Sequence, residues 1–389
     1  MINRLVFIGY QPLTDKVIDD FFINDFQQEN INIEYWDLSK YYFPKQVFIN
    51  SVELDIVKKI NKFNELKNSI KKLENYNCIV FINFPYEWRV LDLFLLLTKY
   101  NFKIAIIARG MVPLPTLVEN FSIKKLVLKL NTKSILNFLK NKIAYLLKKI
   151  KLVKNFDIIF FAGIDSFKIA GAGFKIDIKN SNLVSINSAD YDRCISSEKI
   201  FDSTLKKYIV FLDEYLPFHP DFEMFNEKVI DHIKYYSSLN DFFLRMEKKH
   251  KCEVVIAAHP KASLYNSNDF FMKRKVYFGK TLELVKNSEF VIAHMSTSIG
   301  YSVFFNKKCI LIYTNDLYNK MKNQYYIIKH FSEQLGSKLL NIDKENIDQS
   351  PNEININLYN DFKYKYMTNE NHENLKSFYI IKHFFNQIK

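Results

Sequence analysis

The sequence predicts an α/β protein of two units, each a mostly parallel sheet covered by helices on both faces. Two observations carry this. Apolar runs of strand length recur along the 389 residues, and stretches of helix length separate many of them. A polar, weakly patterned stretch at 188–206 divides two such series, as a linker would. Strands that alternate with helices form parallel sheets buried on both sides.

In the first series the runs fall at 4–9, 31–36, 78–84, 102–108, 157–161 and 183–186, with helix-length stretches at 52–74 and 88–100. The second series opens with a strand at 208–212 and a long helical stretch at 225–250. It continues with VVIAAHPKA, FVIAHMSTSIGYSVFF and KKCILIY between residues 254 and 313, three apolar runs linked as parallel strands are by crossover helices. A polar region at 343–361 precedes a last helix at 370–389, centred on FYIIKHFF. The expected domains are 1–200, 205–345 and a return helix at 365–389. Two α/β units of similar size with a C-terminal helix that returns to the first suggest the GT-B architecture. That architecture sets two Rossmann-like domains across a cleft, with the donor on the C-terminal side and the acceptor on the N-terminal side.

Hydrophobic residues make up 48% of the chain, which excludes disorder. The 36 Phe and 24 Tyr, beside only 8 Gly, follow the codon bias of an AT-rich genome, and no function is drawn from them. Cys78, Cys194, Cys252 and Cys309 are scattered without a C-x-x-C pair, as in a reducing compartment without a disulfide framework or zinc site. MINRLVFIGY reads as a strand rather than a signal peptide, and no apolar run is long enough to span a bilayer. The expected location is the cytoplasm, or the inner face of the cytoplasmic membrane.

The net charge of +13 is localised, because residues 123–154 hold ten lysines and no acidic residue. Within this expected basic helix, Ile135, Leu136, Leu139, Ile143, Leu146, Leu147 and Ile150 recur at near-helical spacing, and lysines such as Lys140, Lys142, Lys148 and Lys149 fill the other face. Such a helix suits an anionic membrane surface. With no arginine, few aromatics and no nucleic-acid motif elsewhere, nucleic acid is not an expected partner.

The candidate chemistry lies past the ends of the second-unit strands, where open parallel sheets take their ligands. Asp213 and Glu214 follow the strand at 208–212, and a carboxylate there could serve a sugar transfer as base or nucleophile. Extended backbone sends adjacent side chains in opposite directions, so one of the two is expected at the reacting centre, and Asp213, first past the strand, is the expected one. His259 and Pro260 end the next run, the proline restricting the histidine backbone. Ser296, Thr297 and Ser298 end the run after that and open a helix, whose N–H groups and dipole favour phosphate. His219-Pro220 repeats the dipeptide in a loop and reads as structural, and His294 reads as a core residue. No D-x-D motif stands in a suitable position, and no metal is expected.

In this order, Asp213-Glu214, then His259-Pro260, then Ser296-Thr297, the chain resembles bacterial sialyltransferase-like glycosyltransferases that use CMP-activated keto sugars. The resemblance covers roughly residues 208–313. It implies that His259 and Ser296-Thr297 bind the CMP phosphate, and that an acidic residue is the base for transfer of a nonulosonic acid to a surface glycan or lipid-linked acceptor. No cofactor beyond the CMP-sugar donor is implied. That family usually has glycine after the acidic pair, where this chain has Tyr215, which leaves room for the related Kdo transferases with Asp213 as nucleophile. A CDP-glycerol-type glycerophosphotransferase and a non-catalytic module of capsule assembly are the other readings. In the first unit Glu87, Arg109 and Asp165 stand at strand ends as candidates for the acceptor side, and the GAG at 171–173 reads as a tight turn.

Overall fold

The computed structural model describes residues 4–46, 48, 51–74, 76–109, 132–165, 172–197, 207–219, 222, 229–344 and 348–387. They fall into two compact units, one within Met1–Arg109, Val118–Ala189 and Thr368–Lys389, the other within Asp190–Met367.

The first unit holds a seven-stranded parallel sheet. Its strands are β1 (Arg4–Gly9), β2 (Asn32–Asp37), β3 (Val57–Lys59), β4 (Cys78–Ile82), β5 (Lys103–Ala108), β6 (Ile158–Ala162) and β7 (Asn182–Ile186), in the order β3-β2-β1-β4-β5-β6-β7. Alternate residues of each strand serve opposite faces. Val6 and Ile8 pack with Leu66, Ile70 and Leu93 from helices Phe63–Leu73 and Leu91–Lys99. Leu5 and Phe7 face the other way, with Ile23 and Phe26 from helix Ile23–Gln28.

Helix Ser377–Gln387 completes that second face. Phe378 lies 5.1 Å from Phe26 and Phe385 6.2 Å from Phe81, ring centre to ring centre. Asn187, just past β7, donates its backbone N–H to Ser377 Oγ at 2.9 Å and its amide to the Leu375 carbonyl at 2.6 Å. The C-terminal helix thus returns to the N-terminal unit, as the apolar centre FYIIKHFF requires.

The second unit repeats the topology. Strands β8 (Tyr208–Leu212), β9 (Glu253–Ala258), β10 (Val276–Phe278), β11 (Val291–Ala293), β12 (Cys309–Tyr313) and β13 (Lys338–Asn341) form a parallel sheet in the order β10-β9-β8-β11-β12-β13. Both sheets have the strand order of doubly wound nucleotide-binding folds.

Four expectations need correction. The stretch at 52–74 is not one helix: β3 occupies Val57–Lys59 before helix Phe63–Leu73 begins. The stretch at 188–206 is not all linker, because Ala189–Ser196 is a helix whose Tyr191 and Cys194 are buried in the second core. The helix expected at 225–250 spans His232–His250, started by Asp231, whose carboxylate accepts the N–H groups of Ile233 and Lys234. Finally, Lys148 does not stand on an outward lysine face. It is fully buried, 2.7 Å from Asp177 Oδ2, under the rings of Tyr86, Phe94 and Phe156. Burial pushes the lysine pKa down and the aspartate pKa up, while the ion pair opposes both. This pair pins helix Thr132–Lys149 to helix Ala172–Ile178.

Candidate functional site

From β8 the chain builds β9 and β10 on one side, then crosses to β11 on the other. The carboxyl ends of β8 and β11 are therefore a topological switch point, the place where an open α/β sheet leaves room for a ligand. Asp213 and Glu214 follow β8, His259 and Pro260 follow β9, and Ser296 stands three residues beyond β11.

The two carboxylates part as extended backbone requires. Asp213 turns toward β9 and is 4% exposed. Its Oδ1 accepts the N–H of Tyr215 at 3.1 Å. Its Oδ2 accepts the Tyr265 hydroxyl at 3.0 Å and, at 3.5 Å, the N–H of His259. The Tyr265 hydroxyl in turn meets that of Tyr236 at 2.8 Å. Burial lifts the Asp213 pKa to about 6, against the pull of these donors.

Glu214 turns toward β11 and is half-buried. Its Oε1 accepts the N–H of Met295 at 2.6 Å, beside Ser296. Burial pushes its pKa up to about 8; the Met295 N–H opposes this and the Asp213 charge adds to it. The two carboxylates thus differ in surroundings rather than in place along the chain. Asp213 has both oxygens engaged in a buried network, a poor position for a nucleophile or base. Glu214 is the less buried of the two residues, and burial lifts its carboxyl to about 8.

Tyr215 stands where the resembling family usually has glycine, in a backbone conformation that glycine adopts without cost. Its φ of 56° lies in the left-handed region, where a side chain costs roughly 1–2 kcal/mol and glycine does not. Its ring packs against Tyr265 and Phe218 at 5.3 and 5.5 Å. The turn leads through Leu216–Phe218 to His219, whose ring lies 4.9 Å from that of His259. The loop residue His219 thus lies beside His259. Its signal was in the sequence as a second His-Pro dipeptide close behind the acidic pair; Pro220 itself lies outside the described residues.

The His259 ring is oriented by its own turn, since Nδ1 accepts the N–H of Lys261 at 3.2 Å. In the neutral imidazole the proton therefore sits on Nε2, as a donor. Ser296 Oγ accepts the N–H of Ser298 at 3.3 Å, a role that leaves the hydroxyl able to donate. Thr297 is exposed and Ser298 half-buried. The helix that follows, Ile299–Phe304, has six residues, so the dipole expected of it is short, and the hydroxyls carry more of any anion contact. His294 is fully buried. Its Nδ1–H donates to the Ile312 carbonyl at 2.7 Å, Nε2 faces the Tyr235 hydroxyl at 2.9 Å, and burial lowers its pKa to about 4. It is a neutral core residue.

A recess of about 500 Å³ opens at the ends of β12 and β13, lined among others by Tyr235, Ser238, Thr314, Asn315 and Asp343. Among the described residues no three potential metal ligands gather. Cys78, Cys194 and Cys309 are buried as small core residues.

Two of the strand-end residues of the first unit, Arg109 and Glu87, make contacts within that unit. The Arg109 guanidinium donates to the Asp20 carbonyl and stacks over Phe22 at 4.6 Å. Glu87 pairs with Arg89 at 3.7 Å, and Asp165 is half-buried. Gly9 leaves room for the Tyr35 hydroxyl, which a Cβ there would meet at 2.1 Å, so this glycine serves packing. Gly171 lies outside the described residues, and Ala172–Ile178 is a helix.

No family model and no curated protein sequence matches the chain. Solved structures do. The wall teichoic acid polymerase TagF, seen in two variants, matches with TM-scores of 0.53 and 0.51 at 13% identity, covering 100% and 99% of this chain and 90% of the other. The UDP-GlcNAc 2-epimerase of Methanocaldococcus jannaschii matches with a TM-score of 0.49 at 12% identity, over 98% of this chain and 99% of that one. At such identities the likeness to TagF is one of fold, and the chain is an α/β protein of two Rossmann-like units of the GT-B class.

Proposed function

We propose that this chain is a glycosyltransferase that moves a nonulosonic acid from its CMP donor to a glycan or lipid-linked acceptor. The observation that carries the reading is the hydrogen bond from Met295 N–H to Glu214, which sets a half-buried carboxylate at the switch point beside Ser296. On the other side of β8, Asp213 ties to the His259 backbone and holds the acidic turn against β9.

In the proposed reaction the acceptor hydroxyl attacks the anomeric carbon and gives its proton to Glu214. The bond from that carbon to the phosphate oxygen breaks, and its electron pair leaves with CMP. His259 Nε2–H and the hydroxyls of Ser296 and Thr297 donate to the phosphate as its charge grows, with Ser298 and Pro260 shaping the loops around it. One phosphodiester carries one charge, which these donors can meet, so the proposal includes no metal. The recess one strand over from Ser296 has a volume suited to the nucleoside. Asp213 is a positioning residue in this scheme, and the Kdo-transferase variant with Asp213 as nucleophile loses support because both its oxygens are engaged.

A second reading, transfer of glycerol phosphate from CDP-glycerol, is favoured by the fold likeness to a teichoic acid polymerase over the whole chain. A donor screen tests both. The purified chain is given CMP-sialic, CMP-pseudaminic, CMP-legionaminic acid, CMP-Kdo, CDP-glycerol and UDP-GlcNAc, and released nucleotide is measured. CMP released from a CMP-nonulosonic acid supports the first reading, and release only from CDP-glycerol the second. Release from UDP-GlcNAc alone contradicts both, and a chain that releases nucleotide from none of these donors and is stabilised by none of them fits a non-catalytic module.

A further inference from the structure

Helix Thr132–Lys149 is packed with its faces inverted. A surface helix normally buries its large aliphatic stripe and shows polar residues to water. Here the anchored face is Ala144, Lys148 and Asn141, with Leu147 half-buried against the first core at its edge. Ala144 is buried and its carbonyl accepts the Tyr86 hydroxyl, Asn141 Oδ1 accepts the Trp88 N–H, and Lys148 reaches Asp177. Leu136, Leu139, Ile143, Leu146 and Ile150 each keep 48–55% of their surface exposed. Ile150 belongs to the same stripe because its N–H continues the helix to the Leu146 carbonyl. At 3.6 residues per turn these five side chains fall within a sector of about 80°. Lys142 and Lys149 border it on one side and Lys140 on the other, by the same spacing. Leu152, just beyond, is 57% exposed.

We propose that this stripe docks on an anionic lipid surface, with the aliphatic side chains in the acyl boundary and the three lysines at the headgroups. The helix is too polar to cross a bilayer, and among the described residues no helix is long and apolar enough to do so. An apolar stripe with a lysine border is what lies flat in the interface instead. Charge decides between lipid and a second copy of the chain. Residues 123–154 carry ten lysines and no acidic residue, so two copies meeting along the stripe would set lysine against lysine. Paired helices rely on opposite charges at those flanking positions. An anionic surface turns the same lysines into attraction, about 1 kcal/mol each near the headgroups. The Lys148–Asp177 pair gives the arrangement its rigidity, because it fixes the rotation of the helix that turns the stripe outward.

Sedimentation with vesicles of phosphatidylglycerol and phosphatidylcholine in a ratio of about 3:7 tests this, with pure phosphatidylcholine as control. The full chain is expected to sediment with the anionic vesicles and to be released as salt rises. Replacing Lys140, Lys142 and Lys149 together with glutamine is expected to weaken binding about 100-fold. Leu139→Ser with Leu146→Ser is expected to weaken it at least about tenfold while the melting temperature stays unchanged, since both side chains are already exposed. Wild-type chain that stays in the supernatant, or serine and glutamine variants that bind as wild type does, overturns the proposal. So does a dimer in solution that the serine variant splits, which would make the stripe a contact between copies.

Discussion

Glu214 Oε1 accepts the N–H of Met295 at 2.6 Å, so the end of β8 holds the end of β11 through a carboxylate. Burial has raised the pKa of that carboxylate to about 8. A base must be deprotonated to act, so kcat/KM for CMP release is expected to climb with pH and to level above about 8. Glu214→Gln is expected to lower turnover by about 10²–10⁴ and to flatten the profile. A Glu214→Gln chain with the wild-type rate and profile would remove the residue from catalysis.

The same shift bears on stability, in the opposite direction. Between the ordinary glutamate value of 4.5 and about 8 the folded chain holds a proton at Glu214 that the unfolded chain has released. Stability therefore falls as pH rises through that window, and Asp213, raised to about 6, adds to the fall over the lower part of it. Urea midpoints across about pH 5–8.5 are expected to show the decline, and a shallower one in Glu214→Gln.

Asp213→Asn is expected to act on the fold more than on the chemistry. The amide NH₂ would confront donors from Tyr215, Tyr265 or His259 where a carboxylate oxygen now accepts them. A buried mismatch of this kind costs about 1–3 kcal/mol, read from the denaturation midpoint. Turnover per folded molecule is expected to survive in part. A variant of wild-type stability without turnover would return the catalytic role to Asp213.

Lys148→Met leaves the Asp177 carboxylate buried without its cation and is expected to destabilise the chain by about 3–5 kcal/mol. Adding Asp177→Leu is expected to recover only part of that loss, because two apolar side chains suit the rings of Tyr86, Phe94 and Phe156 but the buried Phe156 N–H loses its acceptor, Asp177 Oδ1. Chemical denaturation of the two variants measures both steps.

The long strands were legible in the sequence because a strand buried on both faces is a bare apolar run: β1 and β8 occupy the spans their runs mark, Arg4–Gly9 and Tyr208–Leu212. The strands β3, β10 and β13 were not, since three- and four-residue strands at or next to the sheet edges carry no such run. That Asp213, His259 and Ser296 follow the ends of β8, β9 and β11 could be read from the apolar runs alone. Which partners each carboxylate finds could not, because they are Tyr265 and Met295, far away in sequence. The periodicity of residues 135–150 announced an amphipathic helix but not which side is packed. That was decided by Lys148 finding Asp177, 29 residues on.

Titrating CMP into the wild-type chain and into His259→Ala tests the donor site most directly. His259 is held by its own turn with Nε2 as donor, so the substitution should remove one charge-assisted phosphate contact without unfolding the strand behind it. The wild type is expected to bind CMP, and His259→Ala to bind it about 10- to 100-fold more weakly at unchanged melting temperature, a loss of about 1.5–3 kcal/mol. Equal affinity in the two proteins, or no CMP binding by the wild type, would contradict a nucleotide site at the ends of β8, β9 and β11.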